Sequence, residues 1–450
     1  MKLLLHRLFF LQVLLICTIS CSSDDNNPEP IQITVTASDF TTTMDENPTN
    51  GQVIGQIEAN TNEGDLSFTL SQQQNPAGAL AVNATSGELT VADETLFDFE
   101  TNSIITAVVT VANGGIFQNI AVELNLQDVF EEKVYEGDVI LNTQKEVDTF
   151  GANGYTRITG TLTLGLENST NNIILLHPLL DLIKVDGSLL VQFNKILENM
   201  DGLSNLTFVG NDIEIYRNDN LKNIDALEGL TQINGRLILR DNNSLLNIEG
   251  FQNVTFIESH LFIEENNSLI NLEGLNNITF LKILRFYGNS SLQNINALSN
   301  LKTLQSLSIS NNPLLSNING LEKITSSSII RIANNDLLNN LEGLKNLQII
   351  SGDLIISQND LLNDLEGLRS LQSIGGTLII STNEVLTNLN GLSNLNTLGW
   401  ELKVYFNDSL SNLCGLQKLL KEGKFQAGYY VYNNTYNPTE QDIIDGNCSL

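Results

Sequence analysis

The chain has 450 residues, enough for two or three domains or for one elongated repeat array. Its formal net charge of −30 repels phosphate backbones and anionic membrane surfaces, which argues against nucleic acid as a partner. Hydrophobic residues make up 41% and charged residues only 16%, so Asn, Ser and Thr supply much of the polar surface. Those residues favour turns and backbone-bonding ladders over long solvent-facing helices.

The first predicted element is an export signal. Lys2, His6 and Arg7 precede a mostly apolar run over residues 8–16, which is too short to span a bilayer as a permanent helix. The run ends in Thr18-Ile19-Ser20-Cys21, which resembles the lipobox of bacterial lipoproteins with Cys21 as the acylated residue; Thr18 stands where that family usually carries Leu. The acidic stretch that follows, through Asp24-Asp25, is similar to the sorting signal of surface lipoproteins of the Bacteroidetes type. The resemblance implies a signal peptide at 1–20, a lipidated tether at 21–30, and an outer-membrane location facing the cell exterior. Membrane contact is then through lipid alone.

Residues 31–131 alternate apolar and polar positions in short runs broken by turn residues, including Ile31-Gln-Ile-Thr-Val-Thr, Leu66-Ser-Phe-Thr-Leu and Ile104-Ile-Thr-Ala-Val-Val-Thr-Val. About seven such strands in about 100 residues predict an all-β sandwich. The turns between them resemble a cadherin repeat: Asp45-Glu46-Asn47-Pro48, Thr85-Ser86-Gly87-Glu88-Leu89, Leu96-Phe97-Asp98-Phe99-Glu100 and a closing Gln127-Asp128-Val129. That resemblance implies a calcium site built from Glu46, Asp98, Glu100 and Asp128, and several carboxylates suit a cation that takes six to eight oxygens. The sequence departs from the cadherin pattern at Asn60-Thr61-Asn62, at Asn113 and at the closing Asp128-Val129-Phe130-Glu131, which leaves the shell short of ligands.

Beyond residue 132 the chain repeats itself. An Asn followed three residues later by Leu recurs at Asn194, Asn218, Asn242, Asn266, Asn289, Asn312, Asn335, Asn359, Asn383 and Asn407, at steps of 23 or 24. A small residue keeps the same step, from Gly202 and Ala226 through Gly343 to Gly415. Each unit carries a Leu-x-Leu step such as Leu237-Ile-Leu239, which predicts a short strand with both apolar residues inward. The Asn column reads as a structural ladder, its amides satisfying backbone groups at the bend.

The pattern resembles leucine-rich repeats and, in unit length and Gly punctuation, receptor L-domain-like arrays. It implies a right-handed parallel β-solenoid of 23–24-residue coils, mainly β overall. Irregular first coils occupy 132–190, regular repeats 191–415 and a C-terminal cap 416–450. Leu416-Gln-Lys-Leu-Leu-Lys-Glu-Gly predicts a short helix in that cap, and Thr439 an N-cap for another. Cys414 and Cys448 bracket the cap, and an exported compartment permits a disulfide between them.

If the outer face of the sheet binds a ligand, its residues are those beside and between the inward Leu pairs. Basic and aromatic residues are scarce, yet Tyr216, Arg240, Phe262, Arg285, Tyr287 and Arg331 fall there, and Arg with Tyr is the composition of binding hot spots. No Ser/His/Asp order, metal-ligand spacing or phosphate-cradling Gly loop is present, so the sequence predicts a non-enzymatic protein that requires no cofactor, with calcium the one ion it could bind. The expected function is adhesion, with a protein or glycan ligand at the cell surface. The rivals are a carbohydrate-active enzyme or polysaccharide-capture accessory, and a structural spacer.

Overall fold

A computed structural model describes residues 31–167, 172–425 and 428–450; the expected signal segment and Cys21 lie outside the described residues. The chain divides into two compact units between Glu131 and Glu132. Both are mainly β, and among the described residues no helix is long and apolar enough to cross a membrane.

In the first unit Phe40–Asp45, Ile116–Gln127, Ile104–Asn113 and Ser67–Leu70 form one sheet in that spatial order. Val53–Gln56, Glu88–Val91 and Leu80–Val82 form a second, and Val35–Ala37 pairs with Ala59–Thr61. Every pairing is antiparallel except that of Phe40–Asp45 with Ile116–Gln127. Leu89, Phe97, Ile105, Val109, Val111 and Leu124 are fully buried in one core. The expected first strand at residue 31 begins only at Val35, and the strand Phe40–Asp45 was not foreseen. Its Phe-Thr-Thr-Thr-Met-Asp run hides the alternation, because Thr42 points inward beside Phe40 and Met44.

The second unit is built on a single parallel sheet of thirteen strands, running from Val139–Leu141 to Tyr429–Tyr432 in chain order. Apolar residues at alternate positions, such as Ile213 and Ile215 or Leu237 and Leu239, are fully buried and join one continuous core. Two-residue strands such as Ile349–Ile350, Ser373–Ile374 and Thr397–Leu398 stack into further short parallel sheets. The alternation of 23 and 24 has a local cause. In two of the three 23-residue units the two strand segments fuse, giving the eight-residue strands Phe280–Tyr287 and Thr303–Ser310, and in the third Ser328 alone parts Ser326–Ser327 from Ile329–Ala333. In 24-residue units an extra residue separates them, as between Gln232–Ile233 and Leu237–Arg240.

Short 3-10 turns, among them Asn319–Leu321, Glu342–Leu344 and Glu366–Leu368, stack so closely that the small-residue column is forced. A Cβ on Gly343 would lie 1.9 Å from the Ile318 carbonyl oxygen, and one on Gly367 2.0 Å from that of Leu341. Close approach, not backbone conformation, selects Gly here.

All ten ladder asparagines are fully buried. The arrangement at Asn218 is typical. Its backbone N–H and its Nδ2 both donate to Asn242 Oδ1, at 3.2 and 3.1 Å, and Nδ2 also donates to the Val191 carbonyl at 2.9 Å. Only a side chain with donor and acceptor on one planar group can serve both neighbours, which is why Asn recurs and Asp does not. The ladder continues past its last foreseen member. Asn407 bonds in the same way to Asn434, and Asn434 to Asn437, which closes the series.

At one end of this unit lies the helix Gln144–Gly151, capped by Thr143 and Glu146. At the other lie Gln417–Glu422 and Glu440–Ile444, the latter capped by Thr439 and Asp442. Cys414 and Cys448 are joined in a disulfide with a Cα–Cα distance of 4.9 Å. It fastens the chain terminus beside the last 3-10 turn, Cys414–Leu416.

Candidate functional site

The strand register places the outward residues in columns. One column runs Glu214, Ile238, Phe262, Arg285, Ser308, Arg331, Ile355, Ile379, Lys403 and Tyr430. The next runs Tyr216, Arg240, Glu264, Tyr287, Ser310, Ala333, Ser357, Ser381, Tyr405 and Tyr432. Tyr216, Arg240, Phe262, Arg285, Tyr287 and Arg331 therefore share one face across six consecutive strands.

Their charges are not equally available. Arg240 Nε faces Asp241 at 3.6 Å and Glu264 at 4.0 Å, and Arg285 Nε meets Glu264 at 2.9 Å. Glu264 is buried, so these guanidiniums compensate its charge before they meet any ligand. Arg236, the residue before the strand Leu237–Arg240, pairs with Asp212 at 2.7 Å and Glu214 at 3.1 Å. Burial alone would raise Asp212, and the hydrogen bonds and charge of Arg236 hold it below the usual aspartate range. Burial likewise lifts Glu214, only partly offset by Arg236. Arg331 differs: it is exposed, and among the described residues it has no acidic partner.

A third column was not foreseen. Phe193, Arg217, Asp241, Glu265, Asn311, Asn334, Gln358, Thr382, Phe406 and Asn433 each precede a ladder asparagine, and each has a φ between 54° and 61°. Gly288 completes the series at 69°. The left-handed turn is what swings the following Asn inward, and it aims this column along one rim of the sheet face. Glu265 is raised above the ordinary glutamate value, first by the hydrogen bond it shares with the Asp241 side chain and then by burial.

Between Arg285 and Arg331 the face is indented. A concavity of about 380 Å³ is lined by Arg285, Tyr287, Ser308, Ser310, Asn311, Arg331 and Asn334. Ser310 is 8% exposed, and its Oγ is buried without a hydrogen-bond partner among the described residues. Of these lining residues, the sequence singled out the arginines and Tyr287 but not the two serines and the two amides. The available signal was the change in the second column from Tyr287 to Ser310, Ala333, Ser357 and Ser381, and back to Tyr405.

In the first unit the structure brings Glu46, Glu100 and Asp128 together, with carboxylate oxygens within 4.8 Å of one another. Glu46 is buried, and its two oxygens accept from the Phe99 N–H at 2.6 Å and the Val129 N–H at 2.8 Å. Asp98, the fourth acid expected from the sequence, is not among the three whose oxygens lie within 4.8 Å of one another, although its charge reaches Glu100. Both its oxygens accept from Thr101, through the backbone N–H and the hydroxyl, at 3.0 Å each. A backbone hydrogen bond lowers Glu100, but desolvation and the charges of Glu46, Asp128 and Asp98 outweigh it and leave it raised. Three carboxylates in this geometry fit a hard cation such as calcium, and need further oxygens to complete its shell.

No protein-family model matches the chain, and no curated protein matches it. Several solved structures similar to it are cadherin domains. Protocadherin gamma B2 extracellular cadherin domains 3–6 match at 18% identity over 22% of this chain and 23% of that one, with a TM-score of 0.20. Drosophila N-cadherin EC1-4 matches at 24% identity over 23% and 27% of the two chains, with a TM-score of 0.19. The third cadherin domain of human protocadherin 7 matches at 21% identity over 24% of this chain and 92% of that domain, with a TM-score of 0.20. The chain spans about a quarter of the length of the first two structures.

Proposed function

We propose that this chain is a cell-surface adhesion lipoprotein that recognises a protein or glycan through the outer face of a right-handed leucine-rich solenoid. The observation that carries the reading is the column pair on the thirteen-strand sheet, where half-buried Tyr216, Tyr287 and Tyr405 alternate with exposed Arg240, Arg285 and Arg331. Rigid aromatic side chains and guanidiniums on a regular scaffold lose little freedom on binding. The protein holds its ligand without transforming it. Lipid on Cys21 anchors it in the outer membrane, facing the exterior, and nucleic acid is no partner of so acidic a chain.

Calcium at Glu46, Glu100 and Asp128 would neutralise a cluster that repels itself, and so fix that end of the first unit. It is an accessory to recognition by the repeats, not a requirement of it.

The test is a glycan and protein array probed with the lipid-free protein, with and without calcium. A ligand whose retention falls at least tenfold in Tyr216→Ala or Arg240→Ala supports the reading. Retention of nothing sinks it in favour of a structural spacer. Release of reducing sugar from a polysaccharide panel, lost on Glu264→Gln or Glu265→Gln, would establish the enzyme reading instead.

A further inference from the structure

Resting on that reading of the sheet face, we infer that the trough between Tyr287 and Tyr405 is a subsite for an extended saccharide bearing a carboxylate, with Arg331 as its anion receptor. Five strand steps separate the two tyrosines through Ser310, Ala333, Ser357 and Ser381, a span of about 24 Å at about 4.8 Å per step. The floor residues are small and buried. The walls are polar on one side, with Asn311, Asn334, Gln358 and Thr382, while Ser308, Arg331, Ile355 and Ile379 line the other.

Three groups at the Tyr287 end lack what a carboxylated sugar provides. Among the described residues Arg331 has no counter-ion, in a protein with 52 acids and 22 basic residues. Arg285 meets Glu264 through Nε and lies over the Tyr287 ring at 5.7 Å, so its terminal nitrogens are unengaged. Ser310 Oγ is buried and unpartnered at the bottom of the concavity, where a hydroxyl is worth burying only if something bonds to it. Asn334 Nδ2 donates to Asn311 Oδ1 at 2.8 Å, which leaves Asn311 Nδ2 and Asn334 Oδ1 for ligand hydroxyls.

A guanidinium matches a carboxylate in two parallel hydrogen bonds, and a tyrosine ring supports a sugar face. A polyanion is disfavoured, because the exposed acids Asp336, Asp360 and Glu384 lie two residues beyond the polar wall positions Asn334, Gln358 and Thr382. The occupant is therefore a saccharide with sparse carboxylates, one of them seated at Arg331.

Neutral oligosaccharides that carry a single glucuronate, galacturonate or mannuronate residue, each beside its methyl ester, provide the probes for saturation-transfer NMR and calorimetry on the lipid-free protein. A tetraglutamate peptide serves as the acidic-peptide arm. The expected result is binding of at least one free acid, tenfold or more tighter than its ester. Arg331→Gln should lower that affinity at least tenfold, and Ser310→Ala several-fold without loss of thermal stability. Equal binding of ester and acid, indifference to Arg331→Gln, preference for tetraglutamate, or no binding by any uronate overturns the inference. The failures separate cleanly. An array ligand lost in Tyr216→Ala but kept in Arg331→Gln keeps the sheet-face reading and rejects this subsite, whereas the absence of any array ligand rejects the sheet-face reading itself.

Discussion

Asn434 Oδ1 accepts hydrogen bonds from both the backbone N–H and the Nδ2 of Asn407, at 3.1 and 3.0 Å, across 27 residues of chain. Asn434 therefore stands in the ladder as the tenth repeat's neighbour, although its unit carries a helix, three extra residues and no Leu at the third place onward. Asn434→Ala would strip the buried Asn407 N–H of its acceptor, take one of three acceptors from Asn407 Nδ2, and leave the Val404 carbonyl, bonded to Asn434 Nδ2 at 3.0 Å, without that donor. Each such group left unmet costs about 1–3 kcal/mol. The expected outcome is a loss of about 2–4 kcal/mol confined to the C-terminal cap. Amide exchange at Asn407 reports it: protection unchanged from wild type would show that the ladder ends one rung earlier.

The repeats were legible in the sequence because stacking forces the same residue type into the same place. Ten buried amides and a column where a Cβ meets a carbonyl oxygen leave little freedom to drift. The chemistry of the face was less legible. Arg240 and Arg285 read as available, yet Glu264 sits buried between them on the neighbouring strands. Ser310 did not stand out in the sequence, since an unpartnered hydroxyl is a property of its surroundings and not of its residue type. In the first unit, the closeness of Glu46, Glu100 and Asp128 was legible from the motif, whereas the turn that ties Asp98 to Thr101 was not.

The left-handed column was invisible for the opposite reason. Phe193, Thr382 and Phe406 are residue types that avoid positive φ, and the inward Asn that follows each one overrides the preference. Thr382, at φ 56°, is the β-branched member and bears the greatest strain. Thr382→Gly should raise stability by about 1 kcal/mol, since the left-handed conformation costs an L side chain about 1–2 kcal/mol and Gly almost nothing. Urea unfolding of the two proteins checks this. A destabilised variant would mean that contacts of the Thr382 side chain exceed its backbone strain.

The Cys414–Cys448 disulfide closes a loop over a sequence separation of 34, which contains both cap helices and the last strand of the long sheet. Closing a loop of that size removes chain entropy worth about 3–4 kcal/mol from the unfolded state. Replacing both cysteines with Ser should therefore lower the stability of the cap by about that amount, while the central repeats, which touch only their neighbours, hold. Limited proteolysis should then cut the variant beyond Gln417 before it cuts the wild type. Simultaneous cleavage throughout the repeats would show a single cooperative unit.

Asp241 and Glu265 provide a pH signature for the sheet face. Glu265 lies above the ordinary glutamate value of 4.5 because it shares a hydrogen bond with the Asp241 side chain and is partly desolvated, and Arg240 offsets this only in part. A raised folded-state pKa contributes stability that is complete below the unfolded value and declines as pH climbs through the folded one. Wild type is therefore penalised at neutral pH by a second negative charge beside Asp241. Glu265→Gln keeps a donor for Asp241 and removes that charge, so it should be more stable than wild type at pH 7. The advantage should shrink as pH falls toward 4.5, where Glu265 takes up its own proton. Urea melts at the two pH values, run at low salt to limit screening, give the comparison. A variant weaker than wild type at pH 7 would make the attraction of Glu265 to Arg240 the stronger of the two charge effects.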